Sequence, residues 1–435
     1  MYYILYQVPR QDDAFSASGI LTGIVALILD CKTLPLILIE VVKSFFVPSL
    51  FQLQKWKVKF KMEQILSLYS NFGNITWKMA VMWAIGGLLI YLGIRRKMEP
   101  TLLIPMGFGA ILVNLPLSGA ITQGSEIGAL DLLFDKGVAN ELMLLLLFIG
   151  IGAMCDFTPL LTNPRMMLFG AAAQFGIFFT ISLATLLGFD LQDAASIGII
   201  GAADGPTSIF VGNYYGTKYI GAIIVAAYSY MALVPIIQPP VIRALTTKKE
   251  RMIHMPFNTN HVSKKAKIIF PIVVTAVAGI ISPKSVVLIG FLMFGNLVKE
   301  CGVLDSLSHT ASDVLSNLVT LLLGMTVASQ MKADAFLSVE TLMIICLGLV
   351  AFIFDTAGGV IFAKIMNLFT PNNKINPMIG AAGISAFPMS ARVVNQMAVK
   401  EDPTNIILMP AIGANVSGQI ASVLAGGIIL QLIAK

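Results

Sequence analysis

The chain has 435 residues, 57% hydrophobic and only 12% charged, with a formal net charge of +6. A soluble domain carries about 25% charged residues, so a soluble enzyme, a disordered chain and a secreted disulfide scaffold are all excluded. A mean hydropathy of +0.84 leaves a polytopic membrane protein. Its length has room for roughly ten to twelve spans of ~20 apolar residues. The apolar runs are long and lack period-two alternation, which indicates helices rather than a barrel. The basic excess fits cytoplasmic loops rather than a nucleic-acid footprint. Cys31, Cys155, Cys301 and Cys346 stand singly, and His254, His261 and His309 form no cluster, so neither a metal cage nor a disulfide framework is expected.

Residues 1–61 differ from the rest. Two apolar stretches, Ser16–Leu29 and Leu34–Leu53, precede the basic run Lys55–Lys61, the reverse of a signal peptide's order. Met62 offers a second start, so this extension is either an extra membrane anchor or an artefact of start-site choice. The first half, residues 62–245, has apolar segments Trp77–Ile94, Thr101–Leu117, Val138–Cys155 and Met166–Leu187. An interrupted segment, Ala194–Gly212, and then Tyr219–Leu245 complete it. A polar linker covers 246–267. The second half, 268–435, has Ile268–Ile281, Ser285–Val298, Val314–Ser329, Val339–Leu368, an interrupted Pro377–Val399, and Ile406–Ile433.

Arg95–Lys97 and the lysines and arginines of the linker are assigned to the cytoplasm, and the acidic loop Ser118–Gly137 to the outside. The path then closes only if Ala194–Gly212 enters and leaves on the outer side and Pro377–Val399 on the inner side. The halves also echo each other. Ile200–Gly201–Ala202–Ala203 recurs about 180 residues later as Ile379–Gly380–Ala381–Ala382, and two further short matches keep similar offsets. The expected fold is therefore an all-α polytopic, inverted-repeat transporter-like bundle with two re-entrant or broken segments.

Asp204 stands out, in Gly-Ala-Ala-Asp-Gly-Pro-Thr-Ser within an apolar segment. A carboxylate at membrane depth is expensive and by default functional. Gly205 and Pro206 free carbonyls, Thr207 and Ser208 add hydroxyls, and this oxygen set suits a small hard cation or a proton. The alternative is a helix-capping aspartate. A second constellation runs from Asn376 to Arg392. Asn376 offers an amide oxygen, Gly380 and Gly383 permit close backbone approach, and Ser385 and Ser390 carry hydroxyls. The forked guanidinium of Arg392 suits a carboxylate ligand or Asp204 itself, unless it snorkels to phosphates. Tyr228 and Tyr230 read first as packing, with proton donation the minority role, and Tyr230 lies nearer the Pro235 kink. Asn415 sits among small residues at a helix contact. Asp156 is expected to end a helix, and Asp355 to make a helix–helix hydrogen bond. No Walker or dinucleotide-binding context occurs, so no nucleotide site is expected.

Four stretches, around Asp204 (GAADGPTSIF), Tyr228 (AAYSYMALVPIIQPP), Arg392 (INPMIGAAGISAFPMSARV) and Asp156 (GAMCDFTPLLTNP), resemble the membrane β subunit of biotin-dependent sodium-translocating decarboxylases. That family serves oxaloacetate, methylmalonyl-CoA, glutaconyl-CoA and malonate decarboxylases. The resemblance runs from about Met62 to the C terminus. The short loop Ser118–Gly137 is more similar to the methylmalonyl-CoA and glutaconyl-CoA members, while GANVSG around Asn415 departs slightly from the family form. The resemblance implies a multi-pass protein of the bacterial cytoplasmic (inner) membrane. It implies partners too: a carboxyltransferase α subunit, a biotin carrier protein, a small membrane-anchoring subunit and further copies of this chain. It implies Na+ export driven by decarboxylation of carboxybiotin, which the carrier presents and this chain does not bind covalently. By the same resemblance, Asp204, Asn376, Gly380 and Ser385 take Na+, Arg392 meets carboxybiotin, and Asp204, Tyr230 and Arg392 take part in catalysis. The rival is an ion-coupled secondary transporter without an enzymatic partner.

Overall fold

The computed structural model describes residues 71–255, 262–371 and 373–433, so the expectations for residues 1–61 lie outside the described residues. Every helix or strand-length element among them is helical. In chain order the principal helices are α1 (Trp77–Arg96), α2 (Pro100–Val113), α3 (Leu142–Met154), α4 (Met167–Ala172), α5 (Phe175–Leu186), α6 (Leu191–Gly198), α7 (Gly205–Tyr215) and α8 (Ile220–Leu245). They continue with α9 (Lys264–Ile281), α10 (Val286–Glu300), α11 (Ser316–Val327), α12 (Val339–Phe369), α13 (Met378–Ala381), α14 (Met389–Glu401) and α15 (Leu408–Leu432).

Six helical stretches of the described residues are long and apolar enough to cross a membrane, or seven if the segment Ala129–Val138, bent by 64° against α3, is joined to it. This is fewer than the ten to twelve segments the apolar runs allow. Part of the difference is length: α2 has 14 residues and α10 has 15, and at 1.5 Å per residue such helices reach only about 22 Å. The hydrocarbon layer is about 30 Å thick.

Local chemistry sets the ends. Thr76 caps α1, its Oγ1 accepting from Met79 N at 3.3 Å, and Lys97 closes it in the left-handed region at φ 53°. Ser338 caps α12 in the same way, accepting from Thr341 N at 3.2 Å. The stretch Pro164–Leu186 is broken at Ala173–Gln174 between α4 and α5. From Ile75 onward the chain forms one compact unit, and the two halves are interleaved: α2 packs on α11, α3 on α10, α4 on α15, and α5 and α8 on α12. Side chains on the outer faces, such as Trp77, Leu186, Ile280 and Phe369, are exposed and apolar, as a lipid-facing surface requires.

Both interrupted segments fold as hairpins. In the first, α6 descends through a short 3-10 turn, Ile199–Ala202, turns at Ala203 (φ 52°) and returns as α7. Its two ends meet where Thr217 Oγ1 donates to Asp193 Oδ1 at 2.5 Å. In the second, α13 is followed by an irregular stretch and a return as α14. Its ends meet on the linker: Asn376 Nδ2 donates to the carbonyls of Arg251 and Ile253 at 2.9 Å each. Glu401 pairs with Arg251 at 2.8 Å, and Asn405 Nδ2 reaches the same two carbonyls at 3.2 Å. The hairpin tips touch through Ser385 N, which donates to Ala202 O at 3.1 Å.

Candidate ion site

The tip contact is where the polar groups gather. Asp204 is the N-cap of α7, and its carboxylate is buried. Thr207 Oγ1 donates to Asp204 Oδ2 at 2.6 Å, and Ser422 Oγ of α15 lies 2.9 Å from the same oxygen. Ser422 Oγ is also 3.1 Å from Ser385 Oγ of the second hairpin. A hydroxyl donates one proton and accepts at its lone pairs, so Ser422 can donate to Asp204 while accepting from Ser385, and it bridges the two hairpins. Ser208 Oγ donates to Asp204 O at 2.9 Å, holding the first turn of α7. Asp204 is thus both a cap and a buried anion among hydroxyls; its backbone contact to Thr207 N is long, 3.4 Å.

Tyr228 closes one wall. Its ring lies so near Gly205 that a methyl group there would strike it, and its buried hydroxyl has no partner. On α15, Gln419 Nε2 donates to Ser385 O and Asn415 Nδ2 to Ile384 O at 2.7 Å, while the buried Asn415 Oδ1 has no partner. These amides fasten the tip of the second hairpin. Gln238, between Pro235 and Pro239 in α8, fastens its limbs: Nε2 donates to Ala381 O at 2.7 Å and to Ser390 Oγ at 2.8 Å.

Of the residues singled out in the sequence, the structure brings Asp204, Thr207 and Ser385 together, with Ser208 on the backbone beside them. It does not bring Asn376 there. That side chain binds the linker carbonyls, and its Oδ1 accepts from Met378 N at 3.1 Å. Gly380 packs against Gly359 of α12 so closely that neither position admits a methyl group. Ser390 Oγ donates to Ala381 O at 3.1 Å. Tyr230 donates its hydroxyl to Ile345 O and leans on Gly348, away from Asp204. Arg392 is exposed in the first turn of α14 and does not pair with Asp204, whose side-chain partners are hydroxyls and a backbone N–H. Its field reaches Glu99, in the turn after Arg95–Lys97: burial pushes the Glu99 carboxyl up, and Arg392 opposes that shift.

Over residues 78–433 the sequence matches the family described as the Na+-transporting oxaloacetate decarboxylase beta subunit. The chain belongs to that family. It is 47% identical over 364 residues to glutaconyl-CoA decarboxylase subunit beta of Acidaminococcus fermentans, covering 84% of this chain and 96% of the relative. It is 45% identical over 394 residues to methylmalonyl-CoA decarboxylase subunit beta of Propionigenium modestum, covering 85% and 99%. The probable oxaloacetate decarboxylase beta chain of Vibrio cholerae is 41% identical over 433 residues, covering 86% and 100%. Membership and the long apolar helices make this beta subunit a multi-pass protein of the bacterial inner membrane.

Three residues of the site escaped the sequence reading: Ser422, Gln419 and Gln238. The first two carried a signal. Asn415, Gln419 and Ser422 stand at i, i+4 and i+7 in an otherwise small and apolar helix, so they share one face. Gln238 carried a weaker one, a lone amide between prolines in an apolar span.

Proposed function

We propose that this chain is the membrane subunit of a sodium-pumping, biotin-dependent decarboxylase. It couples decarboxylation of carboxybiotin, presented by a carrier protein, to Na+ export with consumption of a proton. Family membership favours this reading over a secondary transporter without an enzymatic partner. Na+ is the cargo, taken by Asp204 together with the hydroxyls of Thr207, Ser385 and Ser422. The observation that carries the assignment is the Ser422 bridge, which joins the buried Asp204 carboxylate of one hairpin to Ser385 of the other. A carboxylate and neutral oxygens are the donor set a hard cation takes, and a site shared by two hairpins changes when they move apart.

Carboxybiotin is read by Arg392, whose guanidinium is exposed and able to take a carboxylate in bidentate fashion. The linker carries six of the chain's basic residues between Lys248 and Lys267 and clasps both ends of the second hairpin. With the linker in the cytoplasm, Arg392 belongs to a hairpin that opens toward the carrier. The first hairpin then opens outward, which is the inverted arrangement of alternating access. Asn376 and Gly380 act here by setting the second hairpin in place, the one on the linker and the other on α12. The partner subunits are a carboxyltransferase, a biotin carrier and a small membrane subunit, with further copies of this chain in the complex.

The test is Asp204→Asn in the reconstituted complex. The variant keeps the cap and removes the charge. It is expected to lose radioactive sodium uptake into inverted vesicles and Na+-stimulated CO2 release, while carboxybiotin still forms. Na+-stimulated turnover with unchanged sodium affinity would reduce Asp204 to a cap.

A further inference from the structure

Asp204 and Asp355 are the two buried acidic residues among the described residues, and the function proposed above leaves Asp355 without a task. It lies in the middle of α12. Its Oδ1 accepts from the backbone N–H of Gly176 and, at 3.2 Å, of Ile177. These residues open α5, just past the break at Ala173–Gln174. Its Oδ2 is buried and has no partner. A methyl group added at Gly201 would run into that oxygen, and Gly201 stands three residues before Asp204 in the first hairpin. The same face of α12 carries Gly348, against Ile200 and Tyr230, and Gly359, against Gly380 of the second hairpin. Asp355 is therefore wedged between a broken helix and the hairpin that bears the ion site, on a helix that backs both hairpins.

A Na+ ion does not suit Oδ2. A hard cation takes several oxygen ligands, whereas the groups given to this carboxylate are two N–H donors, the Gly201 backbone and the Ala351 side chain near it. A proton needs no further ligand. Two N–H groups at a helix start favour the carboxylate form, and the apolar surroundings favour the neutral acid. Small movements of α5 or the hairpin tip shift that balance. Charged groups are scarce around it. α4, α5, the turn Ile199–Ala202 and α13 contribute none. α6 contributes Asp193, bonded to Thr217, and α8 contributes Tyr228 against Gly205, Tyr230 against Gly348, and the exposed Arg243. The short helix Ala333–Phe336 contributes Asp334, paired with Lys78, and α12 itself carries Cys346 with Glu340 and Lys364 toward its ends.

We propose that Asp355 is a second proton-binding group of the transport cycle, separate from the ion site, which takes up and releases one proton as the first hairpin moves against α5. The proposal rests on the sodium-pumping reading, in which a proton is consumed as CO2 leaves carboxybiotin. Asp355→Asn tests it in the full complex in proteoliposomes, because the amide oxygen still accepts the same two N–H bonds. The measurement is decarboxylation of preformed carboxybiotin across pH at saturating Na+, where competition at Asp204 is suppressed by mass action. The wild-type rate is expected to fall as pH rises, and Asp355→Asn to lose that slope. The fall of half-saturating Na+ with rising pH, which reports Asp204, should persist in the variant. A variant slope equal to wild type, or a flat wild-type profile, overturns the proposal and makes Asp355 a structural cap. A pH-independent sodium affinity in both proteins would instead count against Asp204. Where the variant fails to assemble or turns over too slowly, infrared difference spectra of the Asp204→Asn complex decide. A carboxylic-acid carbonyl band that comes and goes with pH is expected, and its absence overturns the proposal.

Discussion

Ser422 is a single hydroxyl within reach of two hairpins, and its loss separates binding from fold. Ser422→Ala removes one hydroxyl donor from beside the Asp204 carboxylate without opening a cavity larger than a hydroxyl. A hydrogen bond to a charged group is worth about 2 kcal/mol, so half-saturating Na+ is expected to rise roughly thirtyfold by the same figure. Sodium titration of decarboxylation reads this; an unchanged midpoint would remove Ser422 from the site. In the proposed role, Arg392 reads carboxybiotin by shape as well as charge. Arg392→Lys keeps the charge and loses the fork, so the reconstituted complex should retain little decarboxylation while still co-purifying with its partners. Near-normal rates would make Arg392 a generic positive charge.

The second hairpin is an element held at its ends. Between α14 and α15, Asp402 Oδ1 accepts from Thr404 Oγ1 at 2.7 Å and from Thr404 N at 2.9 Å, and Asp402 Oδ2 lies 2.9 Å from His254 Nε2 of the linker. The Thr404 hydroxyl and N–H, with His254, hold the Asp402 carboxyl below the usual aspartate range. A depressed carboxylate contributes stability that is fully present above the ordinary aspartate value, about 3.9, and lost as pH falls through its own lower value. The linker contact is therefore expected to stay closed across neutral and mildly acidic pH. It should loosen only below the ordinary aspartate range, and Asp402→Asn should loosen it at neutral pH. Hydrogen exchange of Met252–Met255 reads both; equal protection in the variant would mean that Asn376 and Arg251 hold the linker alone.

At the scale of the whole molecule, the two halves interleave, and both ends of each hairpin return to one side. With the hairpins opening to opposite sides, as proposed, the orientation of the linker sets which hairpin serves which compartment. Lys249→Cys is expected to resist an impermeant maleimide in intact cells and to react once the membrane is opened, whereas Glu126→Cys should react in intact cells. Reaction of Lys249→Cys from outside would invert the assignment of carrier side and exit side together.

What was legible in the sequence was what local chemistry and the solvent decide. Low charge and long apolar runs specify a helical membrane protein, because each backbone polar group in lipid must be satisfied within its own helix. Glycine and proline beside Asp204 and around Asn376 mark the breaks, since proline lacks the N–H that a helix interior needs and glycine is the non-proline residue a helix holds least firmly. Asp204, Ser385 and Arg392 could be selected because polar groups at membrane depth are costly. The tertiary structure alone decided which of them meet. Asn376 and Ser385 lie nine residues apart in one motif, yet one faces the linker and the other Asp204, because the hairpin carries them to opposite ends of its limb. Ser422 joins Asp204 across 218 positions of sequence. Asp355 finds Gly176 and Ile177 across nearly as many. Such pairings depend on how helices pack, and packing follows from close approaches such as Gly359 on Gly380, which no local pattern encodes.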